Sequence, residues 1–379
     1  MRRYRAGAIG DTGHVDNAGR YLGFDASHGL HLPYKDLEQF EMTAVADHDP
    51  SARAHGMDIT GALRSYSDYR EMLATERLDI VSVCSRQASR HEEMVLAAVA
   101  TGCHVFVDKP FTVDLASADR IVHACDAAGV KLAVAHQSRY LEPFLTAHQM
   151  LLAGEIGSLV TMRGRVKEDH RGGGEDVICC GVHILDLMRM FAGDPQWVSA
   201  YVSVEGRAVT KADAYVPVDC NGLVAGDRTD AAFGFEGGVI GHLTSVRNQH
   251  DWGERWGLTL EGTRGAVSLR MFNDLSSPSK LSISRKRSVP EEAGPFEILE
   301  VPLEPEVPGA VPANTGYPPL RGNRQAVFDL MKAAEERREP KSSARDGRWT
   351  LEMALGIYQS HLSQRRVALP LADRSHPLE

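Results

Sequence analysis

At 379 residues the chain exceeds what one ordinary hydrophobic core organises, so two domains are expected. Hydrophobic residues at 43% and charged residues at 25% describe a globular protein, not a disordered one. A formal net charge of −9 argues against a phosphate backbone as partner, so no nucleic acid is expected. No run approaches the roughly 20 apolar residues that would span a membrane, so no membrane partner is expected. Met1–Arg5 and the few apolar residues after it are too short for a signal-peptide core. The six cysteines, Cys84, Cys103, Cys125, Cys179, Cys180 and Cys220, form no C-x-x-C pair and sit mostly in apolar runs. They read as buried thiols of a cytoplasmic protein, with no metal site.

Residues 1–137 alternate strand and helix patterns. Five apolar runs, 6–9, 42–46, 80–84, 104–107 and 131–135, end at Gly10, Asp47, Ser85, Asp108 and His136. Continuous apolar runs suit strands buried on both faces of a parallel sheet. Ser89-Arg90-His91-Glu92 has the form of a capping box for a helix through Ala100, with Gly102 as its stop. Asp114 can cap a second helix that stops at Gly129. The repeat implies an α/β fold with an N-terminal Rossmann doubly wound parallel sheet.

From residue 138 to 379 the rhythm changes. Helices are predicted over 143–153 and 182–191, with a strand over 159–167 between them. Strands are predicted over 197–204, 229–235, 239–248, 256–261 and 266–270, joined by tight turns such as Glu236-Gly237-Gly238. This describes a C-terminal α+β domain with a largely antiparallel open sheet. Residues 290–319 hold eight of the 18 prolines and read as an extended arm or surface loop. Helices over 323–338 and 346–364 close the chain.

Gly10-Asp11-Thr12-Gly13 follows the first strand, where glycines let the backbone approach a pyrophosphate. The turn departs from a full G-x-G-x-x-G, with Thr12 and Val15 at the second and third positions, and alone it reads equally as a plain turn. Asp47 ends the second strand, where a carboxylate would accept both adenosine ribose hydroxyls and repel a 2′-phosphate. That favours NAD over NADP; the bland reading is a strand-end turn aspartate. Asp108-Lys109-Pro110 stands at the C-terminal end of the fourth run, where open parallel sheets bind ligands. Lys109 there can hydrogen-bond a substrate hydroxyl, although an isolated Lys-Pro is more often surface structure. A glycine run, Gly172-Gly173-Gly174, enters a helix on which His183 and Asp186 share a face. A histidine suits removal of a hydroxyl proton; a helical histidine alone is more often packing. The charged cluster Lys167-Glu168-Asp169-His170-Arg171, with Glu175 and Asp176, is either a solvated loop or a hydroxyl-binding pocket.

Taken together, the glycine turn, Asp47, Ser85…His91, Asp108-Lys109-Pro110, Gln137-Ser138-Arg139-Tyr140 and Gly181–Asp186 resemble the Gfo/Idh/MocA family, over essentially the whole chain. That family includes glucose–fructose oxidoreductase and inositol dehydrogenase. D-K-P replaces its usual E-K-P, and Gln137-x-Arg139 its usual N-x-R. The resemblance implies that Lys109 binds and polarises the reacting hydroxyl and His183 is the general acid/base. It implies that Gly10, Thr12, Gly13, Asp47, Ser85, His91 and Asp108 line the nicotinamide cofactor, with Asp11 in the same turn, and that the bond before Pro110 is cis. It also implies a homodimer or homotetramer built through the C-terminal sheet. Arg139, Lys167, Glu175, Asp176 and Asp186 are the candidate substrate contacts. One departure stands out: the family commonly places an aspartate four residues before the histidine, and here that residue is Cys179.

The expected function is NAD-dependent oxidation or reduction of a secondary alcohol or ketone on a sugar, inositol or related polyol. Two alternatives stand beside it. One is a glycoside-modifying enzyme that oxidises its sugar transiently; the other is a non-catalytic sugar or NAD sensor.

Overall fold

Short, mostly apolar runs build the first sheet. The computed structural model describes residues 3–10, 29–35, 37–217, 222–249, 256–271, 279–286, 296–303 and 318–379. The chain divides into two compact units. The first comprises Met1–Gln137, Val218–Gly222 and Pro319–Arg348, and the second comprises Ser138–Pro217, Leu223–Pro318 and Trp349–Glu379. A stretch near the C-terminus thus returns to the first unit, which departs from a single division at residue 137.

The first unit runs β1 (Tyr4–Ile9), β2 (Phe40–Ala46), α1 (Pro50–Thr60), β3 (Arg64–Tyr66), α2 (Tyr69–Glu76) and β4 (Ile80–Val83). It continues with α3 (His91–Ala100), β5 (His104–Val107), α4 (Leu115–Ala128) and β6 (Leu132–Val134). Among the described residues the strands form one sheet in the order β3-β2-β1-β4-β5-β6, and neighbouring strands pair in parallel throughout. The chain leaves β1 toward β2 and β3, then crosses back to β4, so the topological switch falls between β1 and β4. Every residue of β4 is buried, as a strand covered on both faces requires. A Cβ on Gly7 in β1 would lie 2.5 Å from Leu78 Cδ1, so a larger residue there requires the Leu78 side chain to move.

Periodicity did not reveal α1, β3 and α2. The helix α1 buries only Ala52, Gly56 and Thr60, so no apolar stripe marks it. Its caps are clear instead: Asp49 accepts from the Ser51 and Ala52 backbone N–H groups, and Gly61 ends it at φ 73°. Asp114 caps α4 as expected, accepting from Ser117 N at 2.7 Å. The expected capping box before α3 is corrected. Ser89 lies inside a 3₁₀ turn, Ala88–Arg90, and the N-cap of α3 is Arg90, with no side-chain cap.

The second unit contains α5 (Glu142–Leu152), β7 (Leu159–Arg165), a single helical turn α6 (Gly174–Asp176), a π-helical turn over Val177–Gly181, and α7 (Val182–Ala192). Then come β8 (Trp197–Val204), β9 (Arg207–Ala208), β10 (Arg228–Gly234), β11 (Ile240–Val246), β12 (Gly257–Gly262), β13 (Ala266–Arg270), β14 (Lys280–Ser284) and β15 (Glu297–Leu299). The chain closes with α8 (Pro318–Glu336), α9 (Ala344–Ser363) and β16 (Val367–Ala368). The sheet order is β15-β14-β13-β12-β7-β11-β10-β8-β16, with β9 beside β8. It is mostly antiparallel, and β7 pairs β11 in parallel. The expected proline-rich arm carries β15 in its described part, and α8 begins within it at Pro318; the rest lies outside the described residues.

The helix α7 is seated on this sheet by two missing side chains. A Cβ at Gly164 of β7 would lie 2.4 Å from Ile184, and one at Gly241 of β11 would lie 3.0 Å from Met188 Sδ. Ile184, Leu185, Leu187 and Met188 are fully buried as a result. No helix among the described residues is long and apolar enough to cross a membrane.

Candidate active site

In the first unit the candidate residues collect at the C-terminal ends of the strands. Gly10 is buried at the end of β1, its N–H donating to Ala46 O at 2.8 Å. Asp11, Thr12 and Gly13 lie outside the described residues. Asp47 follows β2 and is 1% exposed. Its Oδ1 accepts from Asp49 N at 3.0 Å, which fixes the carboxylate at the strand end. Arg53 on the first turn of α1 donates to the carbonyls of Asp47 and His48 at 2.8 and 3.0 Å. The short segment from Asp47 to α1 is therefore braced by a cation through its backbone.

Ser85 follows β4 and His91 opens α3; both are fully buried. His91 Nε2 lies 2.7 Å from Ser85 O, and Nδ1 lies 3.1 Å from Phe111 O. The ring thus ties the loop after β4 to the loop after β5. Asp108 and Lys109 follow β5, and Asp108 Oδ1 accepts from Lys109 N at 2.7 Å. Lys109 is 7% exposed, and the Lys109–Pro110 peptide is cis, as the resemblance implies. Between these strand ends, burial and then the carboxylates of Asp108 and Asp47 push the Cys84 thiol well above its ordinary pKa. Cys84, fully buried, is a structural thiol at this end of the sheet.

In the second unit the site residues flank α7. His183 is largely buried, and its ring meets the Trp256 ring edge-on at 6.3 Å between centroids and 68° between planes. Lys167 Nζ lies 4.7 Å above the same indole. Asp186, one helical turn after His183, is fully buried, and its Oδ2 accepts from Arg139 Nε at 2.7 Å. Cys179 sits in the π-helical turn and is disulfide-bonded, which corrects the expectation of thiols throughout; Cys84, Cys103, Cys125 and Cys180 are free. A π turn inside a helical run often marks a functional site, and this one immediately precedes the histidine-bearing helix.

The charged cluster is mostly internal structure, not a solvated loop. Asp169 is paired with Arg171, whose NH2 lies 2.6 Å from its Oδ2. Burial opposes ionisation of Asp169, but the Arg171 bonds outweigh it and hold the carboxyl below its ordinary pKa. Asp176 Oδ2 accepts from Glu168 N at 2.9 Å and from Ser245 Oγ at 2.8 Å. Its Oδ1 has no partner among the described residues, and burial pushes its pKa up. Gly172 and Gly173 let this chain segment press on the backbone of Arg247 and Asp227, where a Cβ would come within 2.3 and 2.6 Å. His170 is exposed, and Glu175 is half-buried and accepts from Tyr215 OH at 3.3 Å. Sequence reasoning missed Trp256 and Ser245, since a lone tryptophan or serine at a strand edge carries no periodic signal.

Two family models match the chain: the oxidoreductase family with NAD-binding Rossmann fold over residues 22–136, and the GFO/IDH/MocA C-terminal domain over residues 144–268. D-apiose dehydrogenase of Paraburkholderia graminis is 30% identical over 203 residues, covering 50% of this chain and 53% of the relative. D-xylose 1-dehydrogenase (NADP(+)) 2 of Haloferax volcanii is 27% identical over 182 residues, covering 45% of this chain and 55% of the relative. The chain thus spans about half the length of the curated relatives it matches. The structure of an aldose-aldose oxidoreductase from Caulobacter crescentus, complexed with glycerol, superposes with a TM-score of 0.73 at 18% identity, over 97% of this chain and 100% of that one. That last likeness supports the fold alone. With both of its domain models matched over more than half of the sequence, the chain belongs to the Gfo/Idh/MocA oxidoreductase family.

Proposed function

We propose that this protein is a nicotinamide-dependent oxidoreductase that interconverts a secondary alcohol and a ketone on a sugar, inositol or related polyol, with NAD preferred. The observation that carries the reading is Lys109. It is a buried lysine at the C-terminal end of β5, beside Asp108, in a unit that matches an NAD-binding family.

The first unit fits the cofactor. Asp47 holds a buried carboxylate at the end of β2, where a ribose diol is received, and the switch between β1 and β4 offers the crevice. Gly10, Asp47, Ser85 and Asp108 would line that site, together with the Asp11-Thr12-Gly13 turn. His91 would hold two of its loops in place. When bound, the nicotinamide supplies the hydride acceptor or donor. Asp47 disfavours a 2′-phosphate, which supports NAD, although the Haloferax relative carries NADP(+) in its name.

Lys109 donates a hydrogen bond to the reacting oxygen and stabilises negative charge as it develops there. His183 accepts the hydroxyl proton in oxidation and returns it in reduction. Of the expected substrate contacts, we assign Lys167 and Glu175 to the substrate. Arg139, Asp186 and Asp176 serve the scaffold through their internal bonds. We also infer self-association through the face of the second sheet opposite α7. By strand register that face carries Arg163, Glu261 and His242, with Tyr201 and Ile298 exposed at 47% and 54%.

The test is direct. Purified protein is mixed with NAD and a panel containing D-apiose, D-xylose, D-glucose and myo-inositol, and NADH absorbance and products are followed. NADH that accumulates with one of these supports the proposal. Binding of sugar and NAD without any product would replace it with a sensor.

A further inference from the structure

The indole of Trp256 is a buried polar group in the second unit that the proposed chemistry leaves unused. Trp256 is 9% exposed, and its Nε1–H has no acceptor among the described residues. Folded proteins rarely leave a buried donor unmatched, because an unmet N–H costs free energy. The position is well defined: Met271 N donates to Trp256 O at 2.8 Å, and β12 starts at the next residue. The indole and the His183 ring meet in an edge-to-face arrangement, and the face of the indole lies under the Lys167 ammonium. Lys167 is half-exposed and follows the end of β7, so it can leave the ring at small cost.

We propose that Trp256 and Lys167 form a polyol subsite beside His183, an inference that rests on the function proposed above. The C–H face of a sugar or cyclitol lies on the indole in place of the ammonium. A ring or hydroxyl oxygen accepts the Nε1–H, and Lys167 turns its ammonium to a neighbouring hydroxyl. An aromatic face with one fixed donor and one adaptable cation selects hydroxyl-rich rings over open apolar alcohols. It also fixes which ring carbon lies against His183, so Trp256 is a specificity-determining residue.

Trp256→Phe keeps a ring and removes the donor; Lys167→Met keeps the stem and removes the charge. With D-xylose and myo-inositol, each variant should show KM raised about tenfold or more, the loss expected for one hydrogen bond, with NAD affinity unchanged. Wild-type KM and kcat in Trp256→Phe would overturn the subsite while leaving the oxidoreductase reading intact. A second measurement does not depend on turnover. The chain has four tryptophans, and titration with D-xylose or myo-inositol should change their emission in the wild type and not in Trp256→Phe. Retention of the change in that variant, or its absence from the wild type, would overturn the proposal. If no sugar is turned over but this difference holds, the subsite stands and the oxidoreductase reading falls. Trp256→His, which restores an N–H, keeps the test valid if the Phe variant folds poorly.

Discussion

Arg139 Nε lies 2.7 Å from Asp186 Oδ2, and the same guanidinium reaches the Asp186 carbonyl at 3.3 Å. The aspartate is fully buried and the arginine side chain is 13% exposed. The pair anchors α7 at the turn after His183 to the segment that precedes α5. Removing one partner strands the other charge in a poorly solvated place, which costs far more than the pair itself contributes. Asp186→Ala should therefore lose about 3 kcal/mol of stability in urea unfolding. A loss below about 1 kcal/mol, the range of an exposed pair, would show that the ion pair does not fix the helix.

The proposed chemistry gives Lys109 the reacting oxygen and His183 its proton. Lys109→Ala and His183→Ala should each lower kcat by roughly 100- to 10,000-fold, the span of a positioned proton-transfer or charge-stabilising group. Dissociation constants for NADH, read by fluorescence, should stay within about threefold of wild type, because the ribose contact is elsewhere. Near-normal kcat in either variant removes that residue from the mechanism.

Asp47 is tested through cofactor choice. Loss of a charged acceptor for a diol costs roughly 1.5–3 kcal/mol, so Asp47→Ser should weaken NAD binding about ten- to a hundredfold. NADP should lose less or gain, since a repelling carboxylate is gone and Arg53 remains anchored nearby. Calorimetric titration with both cofactors measures the ratio. An unchanged ratio would mean that Asp47 is a strand-end brace for Asp49 and no more.

The parallel sheet was legible in the sequence because each central strand is buried on both faces and leaves an uninterrupted apolar run. Asp114 and Gly129 were legible because a cap is a local bond with a local residue signature. The weak helix α1 was not, since it buries only small residues and threonine. At the candidate site, sequence patterns singled out Lys109 and His183 as candidates but carried no sign of which acids are held in internal bonds. Asp176 and Asp186 look like any acid near a histidine until their partners, Ser245 and Arg139, are known. Those partners stand 69 and 47 residues away in the chain. The glycine run 172–174 was visible as composition, but its cause is a tertiary fact: the backbone of Arg247 and Asp227 lies against Gly172 and Gly173, and Tyr358 and Ala225 lie against Gly174. The placement of Trp256 beside His183 and Lys167 was invisible for the same reason.

Asp176 carries a pH signature. Burial, set first against the bonds from Glu168 N and Ser245 Oγ, raises its pKa from the ordinary carboxyl value. An acid whose folded value is raised holds its proton more tightly in the folded state than in the unfolded chain. Its contribution to stability is therefore full below the unfolded value and is lost as pH rises through the folded value. Asp176→Asn does not titrate, keeps an oxygen for both donors, and removes the cost of a buried negative charge. Its melting temperature should thus gain on the wild type as pH rises above the ordinary carboxyl range, and the gain should level off only once pH has passed the raised folded value. The comparison uses the difference between the two proteins, so titrations common to both cancel. A difference that stays constant across the range, or that shrinks with rising pH, would mean that Asp176 is ionised in the fold throughout and that its second oxygen has found a donor.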